Sequence, residues 1–254
     1  MVRGLGRFKD FFSVYADQYV LIGGAACDLL MEAADLEFRN TKDLDIVLCI
    51  EVLDAAFTGR FWEFIRLAGY QVREKANGKK CYYRFQKPAS VEYPFMLELF
   101  SRLPDALDES GIVGITPVPV NDKIISLSAI LLDEAYYQLI NTHKVTISGI
   151  PIVSVECLIP LKAKAWLDLT KRKSSGEDID ANSISKHKND TFRLFQLLGS
   201  KKVLNLPDIV KTDMDRFITL MTNEDVNVRQ LGIKTMGKDE ILTQLRMVYD
   251  ILLV

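Results

Sequence analysis

Tyr19-Val-Leu-Ile-Gly23-Gly24-Ala-Ala26, followed after one helix-sized segment by Thr41-Lys-Asp43-Leu-Asp45-Ile-Val-Leu-Cys-Ile50, is the stretch that decides how this chain folds. An apolar run ends at paired glycines, a helical stretch follows, and a second apolar run carries two carboxylates at period two. Side chains alternate along a strand, so Asp43 and Asp45 face the same side. On a strand otherwise apolar they would be costly to bury unpaired, and the compensation this pattern predicts is a divalent cation held between oxygen ligands. Gly23 and Gly24 end one strand and open a helix, where backbone N–H groups and the positive end of the helix dipole can receive a phosphate. A phosphate cradle beside a metal-binding acid pair is the minimal equipment for moving a nucleotidyl or phosphoryl group. Acids at a strand start are also common at surfaces, and a Gly-Gly pair alone is often only a tight turn. The order of strand, glycines, helix and two-acid strand favours chemistry.

A third carboxylate is available at Glu98, flanked by Met96-Leu97 and Leu99-Phe100 on a strand of strongly apolar character. If that strand lies beside Asp43–Ile50, Glu98 points at the same metals and either ligates one or helps take the proton from an acceptor hydroxyl. The competing reading is a strand residue turned to solvent.

At 254 residues the chain exceeds the commonest single-domain length, and two packed units are expected, residues 1–155 and 156–254. A net charge of −2 gives no global footprint for nucleic acid. Between Glu156 and Lys202 the balance reverses to +4, densest at Lys171-Arg-Lys173 and Lys186-His-Lys188. Four widely spaced cysteines, Cys27, Cys49, Cys81 and Cys157, with no C-x-x-C pair, suit a reducing compartment. The first residues lack the apolar core of a signal peptide and no apolar run spans a bilayer, so a cytoplasmic protein with no membrane association is expected.

Along the chain, Phe8–Ala16 reads as a short helix, Tyr19–Ile22 as a strand, Ala25–Ala34 as helix and Asp54–Leu67 as helix stopped by Gly69. Strands follow at Tyr70–Glu74, Cys81–Gln86 and Pro94–Phe100, the first two joined by a turn at Asn77-Gly78. The Val-, Ile- and Pro-rich stretch 111–155 holds a helix near Asp133–Ile140 and a hairpin about Gly149, with its other strands unplaced. Beyond Val155 the period becomes 3.6, giving helices at Glu156–Leu169, Asn189–Leu198, Pro207–Met221 and Lys238–Leu253. The fold class is α/β (α+β): a mixed sheet with flanking helices, then a helical bundle.

The order of glycine turn, acid pair and later third carboxylate resembles the minimal nucleotidyltransferase module of the polymerase-beta superfamily. Glu156-Cys-Leu-Ile-Pro-Leu-Lys162-Ala-Lys164-Ala-Trp-Leu-Asp168 resembles the Glu-to-Lys helix motif of the AbiEii/AbiGii toxin-like nucleotidyltransferases, and Lys188-Asn-Asp190-Thr-Phe-Arg193-Leu their later basic-Asp motif. The resemblance runs to about Leu198. It implies that Lys162 contacts nucleotide phosphates and that Asp190 supports the site. Where the family often has serine or threonine after the first glycine this chain has Gly24, which removes a hydroxyl contact but keeps the backbone cradle. Where the later motif usually carries a second acid it has Arg193, a further positive charge available for phosphate. Independently, Lys162 lies among Leu158, Ile159, Leu161, Ala165 and Trp166, where a lysine needs an anionic partner or must snorkel; that partner is a phosphate or Asp190. Lys164 is expected to face solvent, His143 and His187 to be surface residues, and Tyr82, Tyr83, Tyr136 and Tyr137 to pack in the core or stack on a base.

These readings converge on a nucleotidyltransferase that moves an NMP group from a nucleoside triphosphate to an acceptor hydroxyl. Its cofactor is expected to be Mg²⁺, with Mn²⁺ as substitute, held by Asp43, Asp45 and Glu98. The nucleotide is expected on Gly23, Gly24, Lys162, Asp190 and Arg193, in the cleft between the two units. The resemblance implies an acceptor such as a tRNA end or another RNA and control by a cognate antitoxin protein. A small-molecule acceptor, as in antibiotic-modifying relatives, and a non-catalytic nucleotide-binding or interaction module are the alternatives.

Overall fold

The computed structural model describes residues 2–74, 80–102, 115–120, 123–199 and 204–251. The chain divides into two compact units, Met1–Val153 and Ser154–Val254.

The first unit is built on one mixed sheet. β1 (Tyr19–Ile22) runs antiparallel to β2 (Asp43–Leu48), and β5 (Met96–Ser101) lies parallel to β2 on its other side. Beyond β5 come β4 (Lys80–Gln86) and β3 (Gln71–Glu74), both joined antiparallel; Asn77-Gly78 lies outside the described residues. On the opposite flank β9 (Ile150–Val153) pairs parallel with β1 and antiparallel with β8 (Lys144–Ile147), the expected hairpin about Gly149. The strands left unplaced by sequence are β6 (Ile115–Val120) and β7 (Lys123–Leu131), a hairpin whose β7 joins the end of β5 at Phe100 and Ser101.

Strand register separates two faces of this sheet. Tyr19 and Leu21 share a side with Leu48 and Ile46, and the same parity carries Leu44, Leu97 and Phe85. Aromatic rings cover that side. Phe8 and Phe12 from α1 (Leu5–Phe12) and Phe57 and Phe61 from α3 (Ala55–Ala68) meet Tyr19 and Phe85 at ring-centroid distances of 5.4 to 6.4 Å. The opposite parity holds Ile22, Asp43, Asp45, Glu98 and Arg84. Local chemistry fixes the helix that carries the aromatic cover. The Asp54 carboxylate accepts from Phe57 N–H at 2.7 Å, which holds its carboxyl below the usual range, and Gly69 at φ +63° closes the helix.

The second unit is helical: α5 (Val155–Ser174), α6 (Ala181–Phe195), α7 (Asp208–Met221) and α8 (Lys238–Val248), with Trp166 edge-on to Phe217 at 5.6 Å. α5 carries Pro160 in its interior. Proline has no N–H, so the carbonyl of Glu156 loses its helical donor. The fully buried Tyr249 replaces it, its hydroxyl donating to Glu156 O at 2.9 Å. Burial raises the Tyr249 pKa well above that of an ordinary phenol, so the hydroxyl keeps the proton this bond requires.

Two helices outrun the apolar periodicity. α5 continues to Ser174, where Lys171, Arg172 and Lys173 sit favourably at the negative helix end. α6 starts at Ala181 because Asp180 accepts from the N–H groups of Asn182 and Ser183; its first two turns are largely exposed, so they carry no apolar signal. Among the described residues no helix is long and apolar enough to cross a membrane, and Cys27, Cys49 and Cys157 are buried.

Replacing Tyr249 with Phe removes the hydroxyl that donates to the Glu156 carbonyl and is expected to cost about 1–3 kcal/mol in urea denaturation. Tyr249→Phe with Pro160→Ala returns a backbone donor, so the double variant should recover part of that loss. Equal losses in both would contradict the assignment.

Candidate active site

A row of paired residues crosses the polar side of the sheet. Ile22 of β1 stands opposite Asp45 of β2, Asp45 opposite Glu98 of β5, and Glu98 opposite Arg84 of β4. Asp43, two residues earlier on the same side, stands opposite Met96. The burial pattern of β2 alternates as the two-acid reading requires: Asp43 and Asp45 are half-buried, while Leu44 and Ile46 are fully buried.

The glycine turn is shaped around this row. Gly23 has φ +66°, in the left-handed region, and a Cβ there would stand 1.7 Å from Oδ2 of Asp45. The Asp45 carboxylate therefore lies directly on the backbone that opens α2 (Gly23–Ala33), an approach only glycine permits. That helix begins two residues before the expected Ala25, so both glycines belong to its first turn. A Cβ on Gly24 would stand 2.4 Å from Oγ1 of Thr41. The hydroxyl that Gly24 lacks is thus replaced in space by one from the lead-in to β2. Thr41 was not among the residues singled out by sequence, yet it shares the parity of Asp43 and Asp45, which is the signal that points to it.

Glu98 is not a bare acid. Its carboxylate takes both Nε and Nη2 of Arg84. Arg84 was the second residue missed: strand parity alone places it on one of two faces, and only the β4–β5 register shows that it meets Glu98. This bears directly on the metal. Among the described residues no group of three or more His, Cys, Asp or Glu is gathered to hold an ion. Asp43 and Asp45 do fit a hard cation of the Mg²⁺ kind, which is usually bound through one or two carboxylates and completed by substrate phosphate oxygens and water.

The residues expected to bind phosphate in the second unit, Lys162, Asp190 and Arg193, form one cluster, its first two members buried. Lys162, 3% exposed, donates to Oδ2 of the fully buried Asp190 at 3.1 Å, and Nη1 of Arg193 lies 3.3 Å from Oδ1. Of the two alternatives open to Lys162, the structure shows the pairing with Asp190. Arg193, with 20% of its side chain exposed, is the member of the trio most open to an anion.

Other side chains are accounted for structurally. Lys164 is not free in solvent: burial works against its charge, but Asp168 and Asp213 at 3.4 and 3.2 Å outweigh this and raise its pKa. His143 and His187 are half-buried, and His143 sits at the end of α4 (Glu134–Thr142) with Nδ1 3.1 Å from Leu139 O. Burial raises the Cys49 thiol pKa, which the Lys144 ammonium at 3.1 Å only partly offsets. Tyr136 and Tyr137 are buried, and the Tyr82 side chain lies outside the described residues.

Gly23→Ala adds the left-handed backbone cost and a collision with Asp45, and should destabilise the protein by at least about 2 kcal/mol in urea denaturation. Adding Asp45→Ala removes the collision but not the backbone cost, so the double variant should regain part of the loss. A change within about 0.5 kcal/mol for Gly23→Ala, the range of an ordinary surface substitution, would contradict the close approach.

No family model matches the chain, and no curated protein does. Among solved structures it is similar to the antibiotic-resistance factor ANT(2'')-Ia, at 13% identity and a TM-score of 0.34 over 85% of this chain and 94% of that one. It is also similar to a candidate nucleotidyltransferase from Helicobacter pylori, at 15% identity and a TM-score of 0.34 over 96% and 91% of the two chains. A third similar structure is JHP933 from Helicobacter pylori, at 15% identity and a TM-score of 0.32 over 96% and 89%.

Proposed function

We propose that the chain is a Mg²⁺-dependent nucleotidyltransferase of the polymerase-beta superfamily, with its chemistry on the polar side of the first unit's sheet. The observation that carries this reading is the position of Asp45, which joins three features at one point. It shares a strand face with Asp43, it stands opposite Glu98, and its carboxylate lies on the Gly23 backbone at the head of α2. A carboxylate pair beside a helix N-terminus suits a ligand that presents a metal ion and phosphate oxygens together.

In this reading Asp43 and Asp45 hold Mg²⁺, or Mn²⁺ in its place, and the first turn of α2 receives the triphosphate. The bound ion supplies charge neutralisation to the phosphate oxygens. Gly23 and Gly24 let the phosphates approach the backbone, and Thr41 offers a hydroxyl at the same turn. The acceptor oxygen attacks the α-phosphorus in line; a P–O bond forms to the acceptor, the bond to pyrophosphate breaks, and the acceptor proton passes to a carboxylate or to solvent. Glu98 joins this chemistry on exchanging Arg84 for the cation or the acceptor. Asp190 and Lys162 serve as the buried brace that holds Arg193 toward an anion.

RNA is the acceptor we favour, because Lys171, Lys173 and Lys186 are exposed on α5 and α6. A toxin-like role under a cognate antitoxin is part of the proposal and rests on the motifs at Glu156–Asp168 and Lys188–Leu194. A small hydroxylated acceptor is the competing outcome of the same experiment.

That experiment incubates the protein with Mg²⁺, each α-labelled nucleoside triphosphate and a cell extract containing RNA. Label is expected on RNA, and Asp43→Asn or Asp45→Asn should reduce it by at least about a hundredfold while leaving the protein folded. Label on a small molecule would transfer the acceptor assignment. Absence of label on any acceptor, together with absence of nucleotide binding, would favour an interaction module.

A further inference from the structure

The row that crosses the polar side of the first unit's sheet ends on a cation. Arg84 of β4 stands opposite Glu98 of β5, and its Nε and Nη2 converge on Oε1 of that carboxylate. Charge-assisted bonds from a guanidinium are among the stronger contacts a carboxylate can make. The pair is also sheltered, with 13% of the Glu98 side chain and 28% of the Arg84 side chain exposed. Charges drawn back from water in this way attract each other more strongly than a fully solvated surface pair.

On its other side Glu98 stands opposite Asp45. It is therefore held between the acid pair and a fixed positive charge. Asp43 and Asp45 alone make a modest site for a hard cation, and affinity for such ions rises with the number of charged oxygen ligands. Arg84 decides whether Glu98 adds to that number. It cannot release the carboxylate by losing a proton, because a guanidinium stays protonated in proteins. Leaving Glu98 within a sheltered face, it needs another anion. The planar donors that fit a carboxylate also fit a phosphate group.

We infer that Arg84 gates the metal site: it withholds Glu98 from a divalent cation until a phosphate group takes its guanidinium, so that cation and triphosphate are bound as one unit. This rests on the reading of Asp43 and Asp45 as the metal-holding pair, and it makes Arg84 a positioning residue that acts on the metal through Glu98.

Mn²⁺ titrated into the full-length protein without nucleotide, with the unbound ion followed by electron paramagnetic resonance, tests this. Arg84→Met and Arg84→Gln should each tighten Mn²⁺ binding by about tenfold or more, and adding Glu98→Gln to Arg84→Met should cancel the gain. Glu98→Gln alone should weaken Mn²⁺ by a smaller factor than Arg84→Met strengthens it, because Arg84 already withholds that carboxylate. At saturating Mn²⁺, a non-hydrolysable nucleoside triphosphate analogue should bind Arg84→Met about tenfold more weakly, the scale of one hydrogen bond to a charged group. A packing fault would weaken both ligands, so the opposite signs separate a gate from a structural ion pair. No gain in Mn²⁺ affinity in either Arg84 variant, a loss in Glu98→Gln as large as that gain, which is the mark of long-range charge alone, or analogue binding untouched by Arg84→Met would overturn the inference. Mn²⁺ binding that Asp45→Asn leaves undiminished would instead contradict the metal reading on which it rests.

Discussion

The contact between the Asp45 carboxylate and the Gly23 backbone is the constraint on which the rest of the first unit's polar face depends. It explains why residue 23 is glycine twice over, through its left-handed φ and through the 1.7 Å that would separate a Cβ from Oδ2. It also ties three elements together, since Ile22 ends β1, Gly23 opens α2 and Asp45 sits in β2. An acid placed against a helix N-terminus is favoured by the dipole. The same placement leaves a concentration of oxygen ligands and backbone donors that a purely structural turn does not need.

The sheet permits this because its two sides have different tasks. Aromatic rings from α1 and α3 cover one side, so stability is drawn from apolar burial there. The other side carries the charged groups, where Asp45 and Glu98 stand opposite each other in the register and Arg84 meets Glu98 from the next strand. In the helical unit charge is handled differently. Asp190 is wholly buried and accepts from both Lys162 and Arg193, and Arg193 is the more exposed of the two cations.

How much of this was legible in the sequence follows from what each signal depends on. Strand parity is local, so the shared face of Asp43 and Asp45 could be read directly, as could the mixed sheet followed by a helical bundle. Gly69 and Asp54 likewise announced the ends of α3, because capping is a property of a few adjacent residues. Arg84 could not be read, since its meeting with Glu98 depends on the register between β4 and β5, which are separated by Lys87–Phe95. The early start of α6 was hidden because its first turns face water and show no apolar period. Lys162 was legible as a lysine that needed an anion; the choice between Asp190 and a phosphate required the packing of α5 on α6. The β6–β7 hairpin escaped because Pro117 and Pro119 interrupt the strand signal.

The central claim is that Asp45 and the α2 turn together bind a metal-bearing triphosphate. Calorimetric titration of a non-hydrolysable nucleoside triphosphate analogue, in Mg²⁺ and then in excess EDTA, with wild type and Asp45→Asn side by side, tests it most directly. The account predicts saturable binding that requires Mg²⁺ and is lost in Asp45→Asn. Binding of equal strength in EDTA, or undiminished in the variant, would contradict it.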